Sequence, residues 1–191
     1  MTSERRLATP EMYDAAANPR VSSFAAQLDD QFAALKKNIA GLETRHLEWQ
    51  LHPGVNTIGM LLAHLAVVDV WWLQIAPRET PESEADGVMR GIIGISMDDD
   101  GLPLPAGGLH PASLDGKQLE EYLRMIDAAR AASHAELRQW RDADLAGTYR
   151  LRDRVISREW TLYHVLEHFS SHHGQILLLK HFMSDAGLLP A

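Results

Sequence analysis

The stretch that decides the fold is Leu162-Tyr163-His164-Val165-Leu166-Glu167-His168-Phe169-Ser170-Ser171-His172-His173-Gly174-Gln175-Ile176. His164, His168 and His172 recur every four residues. On an α-helix, each therefore lies only about 40° and 6 Å from the one before it. The apolar residues fill the adjacent arc of the helical wheel, with His172 at its edge, His168 one step out and His164 nearest to solvent. This order predicts that His168 and His172 face inward, and that His164 is a surface residue or a supporting neighbour.

Two further polar residues of this helix have less obvious roles. His173 falls within the apolar arc, about 100° around the helix from His172. That position favours a packed, hydrogen-bonded side chain over a metal ligand, although ligation stays open. Gln175 lies between His164 and His168 on the wheel, so it could hydrogen-bond a substrate or a metal-bound water.

A second apolar stretch, Asn56-Thr57-Ile58-Gly59-Met60-Leu61-Leu62-Ala63-His64-Leu65-Ala66, carries one inward histidine. His64 shares its helical face with Leu61 and Val68, where an unpaired imidazole is unfavourable. Taken alone, His64 would be interpreted as a core residue hydrogen-bonded to a neighbour. The alternative is a metal site that combines it with His168 and His172.

The ligand set follows from composition and from the histidine spacing. The chain has no cysteine, so a metal site must use histidine, carboxylate or water. Three neutral imidazoles with an open fourth position are typical of a reactive zinc-type site. Nickel, copper and iron also accept imidazole. We therefore predict one divalent transition metal, zinc or nickel, at His64, His168 and His172.

Four segments have helical periodicity, separated by stretches rich in Pro, Gly or Asp. They cover approximately residues 21–42, 57–76, 114–140 and 161–186. Ser22 or Ser23 is the expected N-cap of the first, Asn56 or Thr57 that of the second, and Pro77 closes the second. This pattern predicts an all-α protein, an antiparallel-type four-helix bundle with a ligand site between inward-facing side chains. We expect residues 1–191 to form a single domain, with 1–19 as a flexible or partly helical segment.

A long loop is predicted between the second and third helices. Residues 78–111 contain six glycines and four prolines, and loops of this length are usually functional or flexible. The run Asp98-Asp99-Asp100-Gly101 suggests calcium, but the spacing and terminal Glu of an EF-hand are absent, which disfavours it. Residues 149–156 alternate weakly and predict a short extended piece before the last helix.

Composition excludes several classes of protein. The net charge of −8 argues against nucleic-acid binding, which depends on cationic side chains. Arg150, Arg152, Arg154 and Arg158 are diluted by acidic residues and are interpreted as a solvated surface. The most apolar run, 58–75, is interrupted by His64, Asp69 and Gln74, which argues against a membrane span. The first six residues do not resemble a secretory signal, so we expect a cytoplasmic protein.

The stretch 56–66 resembles the second-helix signature, and the stretch 166–176 the last-helix signature, of the DinB-like, or YfiT-like, proteins. The two motifs cover only a small part of the chain, but their order, separation and helical setting are also similar. The resemblance implies a four-helix bundle with a three-histidine metal site, carried here by His64, His168 and His172. Its relatives include hydrolase-like YfiT proteins, mycothiol-dependent isomerases and low-molecular-weight thiol S-transferases. The 78–111 loop looks longer than the connection usual in the family.

Two functions remain open from the sequence. One is a metal-dependent thiol S-transferase or hydrolase-like enzyme that uses an external thiol or metal-bound water on a small-molecule substrate. The other is a non-catalytic metal-binding stress or sensing protein. Polar groups around an open pocket would favour the enzyme, whereas a metal sealed by Trp71 and Trp72 would favour the second. A homodimer is expected, because relatives are often dimers and because Phe24, Phe32 and Trp140 suggest surplus apolar surface.

Overall fold

The structure, a computed structural model, describes residues 7–189 of the chain. In these residues the helices are α1 (Pro19–Ile39), α2 (Thr44–Leu47), α3 (Ile58–Val70), α4 (Glu82–Ile93), α5 (Leu119–Leu137) and α6 (Arg158–Asp185), and the strands are β1 (Thr148–Leu151) and β2 (Arg154–Ser157). Helices α1 and α3 each pack against both α5 and α6, which places α1 and α3 diagonally across a four-helix bundle. The predicted all-α bundle is confirmed.

Helix α3 is the central helix of the bundle. All of its residues are buried except His64, which agrees with an apolar surface on every side. Its N-cap is Thr57, one of the two predicted caps, whose hydroxyl accepts a hydrogen bond from Met60 N at 3.2 Å. The close approach of α5 requires Gly59, because a Cβ there would lie 2.7 Å from the Tyr122 hydroxyl. The stretch Ile58–Arg78 is long and apolar enough to cross a membrane, but 78% of its most apolar window is buried inside the protein, as in a core helix.

The helical path does not end at α3. It continues through a π-helical turn, Trp71–Ile75, and a 3-10 turn, Ala76–Arg78, that contains the predicted stop, Pro77. π-Helical turns insert an extra residue into a helix and are frequent at functional sites. Here the turn carries Trp71 and Trp72, two residues whose side chains line a pocket described below.

The prediction of a loop over residues 78–111 was partly wrong, because α4 lies within it. Ala85, Met89 and Ile93 recur every four residues and are buried, and Gly94 ends the helix with a φ of 80°. The two internal glycines that suggested a loop, Gly87 and Gly91, have open space around them and are not required by packing. Tertiary burial of one apolar stripe therefore overrides their low helical propensity.

Other helix boundaries differ by a few residues from those predicted. Helix α1 begins at Pro19 rather than at a serine cap, because proline suits the first turn of a helix. Ser22 is buried inside the helix instead. Helix α6 begins at Arg158 after the Ser157 cap and ends before Gly187, which has a φ of 70°.

The three aromatic residues that suggested surplus apolar surface, and hence a homodimer, do not lie on the surface. Phe24, Phe32 and Trp140 are exposed by only 6%, 8% and 4%, so all three belong to the core of one chain. The large apolar residues that remain exposed include Tyr163 and Leu178 on α6. The homodimer therefore stays a prediction without that support.

The predicted extended piece at 149–156 is a β-hairpin. Strands β1 and β2 pair antiparallel, with Tyr149 opposite Ile156, and both side chains pack on Ala76. In the predicted N-terminal segment 1–19, residues 1–6 lie outside the described part of the chain. Residues 7–18 form turns, and Tyr13 is hydrogen-bonded to His134 Nδ1 at 2.9 Å.

Candidate metal centre

His64 reaches the interface between α3 and α6 from the one position of α3 that is not fully buried. Its Nδ1 lies 2.8 Å from Oδ2 of Asp100, a carboxylate with only 1% of its side chain exposed. Asp100 Oδ1 accepts a second hydrogen bond from Leu102 N at 2.9 Å. The imidazole is therefore held from behind by a buried carboxylate that is itself fixed by the backbone.

His168 and His172 approach His64 from α6. The Nε2 atom of His168 lies 3.2 Å from His64 Nε2 and 3.1 Å from His172 Nε2. The ligand atoms of the three histidines all lie within 4.8 Å of one another. The four-residue spacing on α6 places two imidazoles side by side, and the packing of α3 against α6 brings the third.

Hydrogen bonds at the outer ring nitrogens determine which nitrogen of an imidazole keeps its lone pair for a metal. Asp100 presents a carboxylate to His64 Nδ1, and Gln175 presents Oε1 to His172 Nδ1 at 2.8 Å. Both oxygens accept, so the two Nδ1 atoms carry the protons and the Nε2 atoms keep their lone pairs. Histidine ligands of metal sites are oriented by outer hydrogen bonds of this kind.

The spacing of the nitrogens also fits a metal. Two nitrogens, each about 2.0–2.1 Å from one zinc ion in tetrahedral geometry, lie about 3.3–3.4 Å apart. The two observed Nε2 separations involving His168, 3.2 and 3.1 Å, are close to that value. The donor set of three imidazoles therefore fits a divalent transition metal, and ligation itself remains a prediction.

Protonation would compete with a metal for these nitrogens, and the structure disfavours it. Burial lowers the pKa of His168 to about 3, with the neighbouring imidazoles of His172 and His64 adding to the shift. Burial also lowers the pKa of His172, although the hydrogen bond to Gln175 opposes this. These two imidazoles are therefore neutral at physiological pH, as metal ligands must be.

A wide, open pocket of about 1190 Å³ lies beside α6, and its lining includes His164 but not the three converging histidines. Its wall is formed by the π-helical turn, the β-hairpin and the first two turns of α6, and includes Trp71, Trp72, Arg152, Arg154, Trp160 and His164. His164 links this pocket to the histidine cluster, because its ring centroid lies 5.7 Å from that of His168. A molecule in the pocket would thus reach within one helical turn of the three converging nitrogens.

The sequence profile of the family described as mycothiol S-transferase matches residues 23–183. The chain belongs to the mycothiol S-transferase family. The family lies within the DinB-like, or YfiT-like, superfamily, so the resemblance inferred from the two histidine stretches is confirmed. No curated protein matches the chain in sequence.

Two solved structures are similar to the chain. One is a conserved protein from Enterococcus faecalis, with a TM-score of 0.61 and 13% identity over 84% of this chain and 94% of that one. The other is a DinB-like protein from Bacillus cereus, with a TM-score of 0.48 and 18% identity over 87% of this chain and 95% of that one. The first of these likenesses supports the fold alone.

In this member of the mycothiol S-transferase family, the two neighbouring histidines of α6, His164 and His173, have different surroundings. His164 is half-buried and stacks on Trp160, with ring centroids 4.7 Å apart and planes at 12°. It is therefore part of the pocket wall. His173 is buried and its Nε2 lies 3.0 Å from Asn38 Nδ2, which matches the packed, hydrogen-bonded role expected for it.

Gln175 has a more definite place than the sequence suggested. Its Oε1 is engaged by His172 Nδ1, so the side chain orients a ligand ring. It also lines a smaller pocket of about 380 Å³ beside Leu61 and Phe182. The predicted contact with a substrate or water stays a prediction.

Asp100 is the functional residue that sequence reasoning missed. The run Asp98–Asp100 was considered for calcium, but Asp99 Oδ2 accepts from Ser96 N at 2.8 Å, whereas Asp100 turns inward to His64. Within residues 7–189, this run forms no cluster of three converging carboxylates. The available signal was that an inward His64 needs an acceptor at Nδ1, which a nearby acidic run can supply.

The arginines of the hairpin lie on the surface, as expected from the sequence, and two of them have a further place in the structure. Arg152 and Arg154 are exposed, but both line the large pocket. Arg152 has a φ of 56°, an unusual value for a residue other than glycine, at the turn between the strands. The hairpin thereby brings two guanidinium groups to the mouth of an aromatic pocket.

Proposed function

We propose that the protein is a metal-dependent thiol S-transferase that joins a low-molecular-weight thiol to a small electrophile. His64, His168 and His172 would hold one zinc or nickel ion. Such an ion would stabilise a thiolate near neutral pH, as zinc does for coordinated thiols and water. The observation that carries the proposal is the convergence of three Nε2 atoms, two of them oriented by outer hydrogen bonds, one helical turn along α6 from an open pocket.

The chain's own residues then supply orientation and binding. Asp100 and Gln175 fix the imidazole rings from behind, so no reorganisation is needed when the nitrogens engage an ion. The thiol loses its proton, its sulfur forms a bond to an electrophilic carbon, and the leaving group departs with its electron pair. Because the protein has no cysteine, the sulfur nucleophile must come from outside.

The pocket suits the body of the thiol. Trp71, Trp72 and Trp160 supply flat apolar surfaces, and Arg152 and Arg154 supply hydrogen-bond donors. A thiol with a hydroxylated ring, such as mycothiol, can stack on the first set and accept from the second. The family's name supports mycothiol as the thiol to test first. A cytoplasmic location is part of this proposal, because the cytosol keeps low-molecular-weight thiols reduced.

The non-catalytic alternative is less well supported. A metal sealed by Trp71 and Trp72 would have favoured a stress or sensing protein. Both tryptophans instead line an open pocket that also contains arginine, aspartate and serine side chains. A hydrolase-like reaction would use the same three histidines with water as nucleophile, and it is an outcome of the same assay.

The test is a turnover assay of zinc-loaded and nickel-loaded protein. Mycothiol, bacillithiol and glutathione are each supplied with a haloaromatic electrophile, and thioether formation is followed by absorbance and mass spectrometry. We expect metal-dependent turnover that His168→Ala abolishes and Arg154→Ala weakens through KM. Arg150→Ala is the matched control, because Arg150 lies on the same hairpin but does not line the pocket. Equal thiol consumption by the native protein and His168→Ala would overturn the proposal.

A further inference from the structure

A second convergence of ligand atoms lies away from the three-histidine cluster. Glu48, His110 and Asp115 each place one ligand atom within 4.8 Å of the others. Glu48 directly follows α2, and Asp115 follows the 3-10 turn Ala112–Leu114 that leads toward α5. Two segments distant in sequence, one at Glu48 and one at 110–115, thus meet at one point, and neither the sequence motifs nor the family assignment involves them.

His110 is the central residue of this group. Its Nδ1 lies 2.8 Å from the hydroxyl of Thr57, the residue that caps α3. Its Nε2 is buried and has no hydrogen-bond partner among the described residues. A buried polar atom without a partner is unfavourable, so this nitrogen calls for a partner that the described protein atoms do not provide. In the tautomer in which Nδ1 donates to Thr57, the Nε2 lone pair is free for that partner.

Two carboxylates each place an oxygen within 4.8 Å of a ring nitrogen of His110. Glu48 is half-buried and anchored, since its Oε1 accepts a hydrogen bond from Gly116 N at 2.5 Å. Asp115 is exposed and adjoins Gly116, so its carboxylate reaches the same point from the solvent side. One neutral imidazole and two carboxylates give a ligand set with a net charge of −2, which attracts a divalent cation.

We propose that Glu48, His110 and Asp115 form a second metal site, which binds a first-row transition ion such as Zn²⁺. The imidazole favours zinc and its neighbours in the series over Ca²⁺ and Mg²⁺, which prefer oxygen ligands alone. Thr57 and His64 are seven residues apart on α3, which corresponds to about 10 Å along the helix axis. The second ion would therefore bind independently of the first. It would join the segment after α2 and the loop before α5 to the N-terminus of α3.

Zinc stoichiometry tests the proposal. Full-length protein is stripped with chelator and dialysed against Zn²⁺, and bound metal is measured by elemental analysis. We expect two ions per chain in the native protein, one in His110→Ala, one in His168→Ala and none in the double variant. His52→Ala is the matched control, because His52 is an exposed histidine outside both groups, and it should keep two.

The pattern of losses separates this proposal from the proposed function. A native protein that binds one ion, lost in His168→Ala and retained in His110→Ala, overturns the second site and leaves the first intact. If His110→Ala does not fold, Asp115→Asn replaces it, because Asp115 is exposed. Loss of an outer hydrogen-bond partner weakens metal affinity by about 10–100-fold, and loss of a direct ligand should weaken it more. We therefore expect Asp115→Asn to weaken the second site by more than about 100-fold, and unchanged affinity would overturn the assignment.

Discussion

Two polar clusters that include residues of helix α3 differ in how their polar groups are paired. His64 belongs to one, and Asp69, about 140° further around the helix, belongs to the other. Asp69 is buried, and its carboxylate accepts from Arg130 Nη1 at 3.3 Å and from Ser133 Oγ at 2.9 Å. Arg130 also donates to Asp29 at 2.9 Å. In the Asp69 cluster, therefore, opposite charges lie against each other inside the protein.

The pKa of Asp29 reflects the pairing of opposite charges in that cluster. Burial raises the pKa of Asp29, but hydrogen bonds from His134 and Arg130 outweigh this and leave it below its usual value. The histidine cluster lacks any such compensation, because its outer nitrogens donate to Asp100 and Gln175 while its inner lone pairs face one another. The paired charges of the Asp69 cluster stabilise the bundle, whereas the unpaired lone pairs of the three histidines form a candidate binding site. Each prediction below tests that distinction.

The largest effect on stability is expected in the Asp69 cluster. Asp69→Ala should lower the free energy of unfolding by about 3–5 kcal/mol, because removal of one partner leaves a buried charge with too few counterions. Urea denaturation followed by circular dichroism measures this change. Zinc stoichiometry at the three histidines should not change in the folded variant.

Asp127→Ala provides the matched control for that variant. Asp127 pairs with Lys36 at 2.7 Å, but the two side chains are 53% and 40% exposed. An exposed pair contributes about 0–1 kcal/mol. If Asp69→Ala and Asp127→Ala destabilised the protein equally, the Asp69 cluster would not be a structural one.

The second largest effect is expected at the histidines, and only when metal is present. In chelator-treated protein, His168→Ala should change stability far less than Asp69→Ala does. With zinc at 100 times its Kd, the native protein should gain about 2.7 kcal/mol from that site, and the variant should lose this gain. Differential scanning calorimetry with and without zinc measures both quantities. His164→Ala should keep the gain, because His164 stacks on Trp160 outside the cluster. Damage by His164→Ala equal to that by His168→Ala would contradict the ligand assignment.

The contrast between the clusters also explains what the sequence could and could not predict. The four long helices and the convergence of His64, His168 and His172 follow from helical periodicity, which fixes the direction of a side chain once a helix exists. Asp100 lies in irregular chain between α4 and α5, where no periodicity applies. Its inward direction depends on tight local packing, since Gly101 has a φ of 71° and a Cβ there would lie 2.9 Å from Pro111. The pocket shared by the exposed hairpin arginines could not be predicted for the same reason: it exists only after β1 and β2 pack beside Trp71 and Trp72.

A pH effect should distinguish the neutral cluster from the charged one. The pKa of His168 falls from 6.5 to about 3 in the folded protein. The unfolded chain therefore binds more protons between these values, so the stability that the neutral imidazole supplies is complete above about pH 6.5 and is lost as the pH falls toward 3. In chelator-treated protein, His168→Ala should lose less stability than the native protein between pH 7 and pH 4.5. Urea midpoints at the two pH values measure this loss. His181→Ala, which removes an exposed histidine of the same helix, should behave like the native protein; equal acid sensitivity of His168→Ala and the native protein would contradict the prediction.

The smallest effect is expected at Gln175, and it tests whether the outer hydrogen bonds prepare the site. Gln175→Ala removes the acceptor that holds His172 Nδ1, but it leaves all three proposed ligands in place. Loss of an outer partner usually weakens metal affinity by about 10–100-fold, and a neutral carboxamide on an exposed helix position should give the lower value, about tenfold. Asp100→Asn should give a larger loss, because the acceptor for His64 Nδ1 is a buried carboxylate and its charge strengthens the hydrogen bond. Competition with a chromogenic chelator measures both constants. A larger loss of zinc affinity in Gln175→Ala than in Asp100→Asn would contradict this prediction. It would mean that the buried Asp100 is not the more important of the two outer partners.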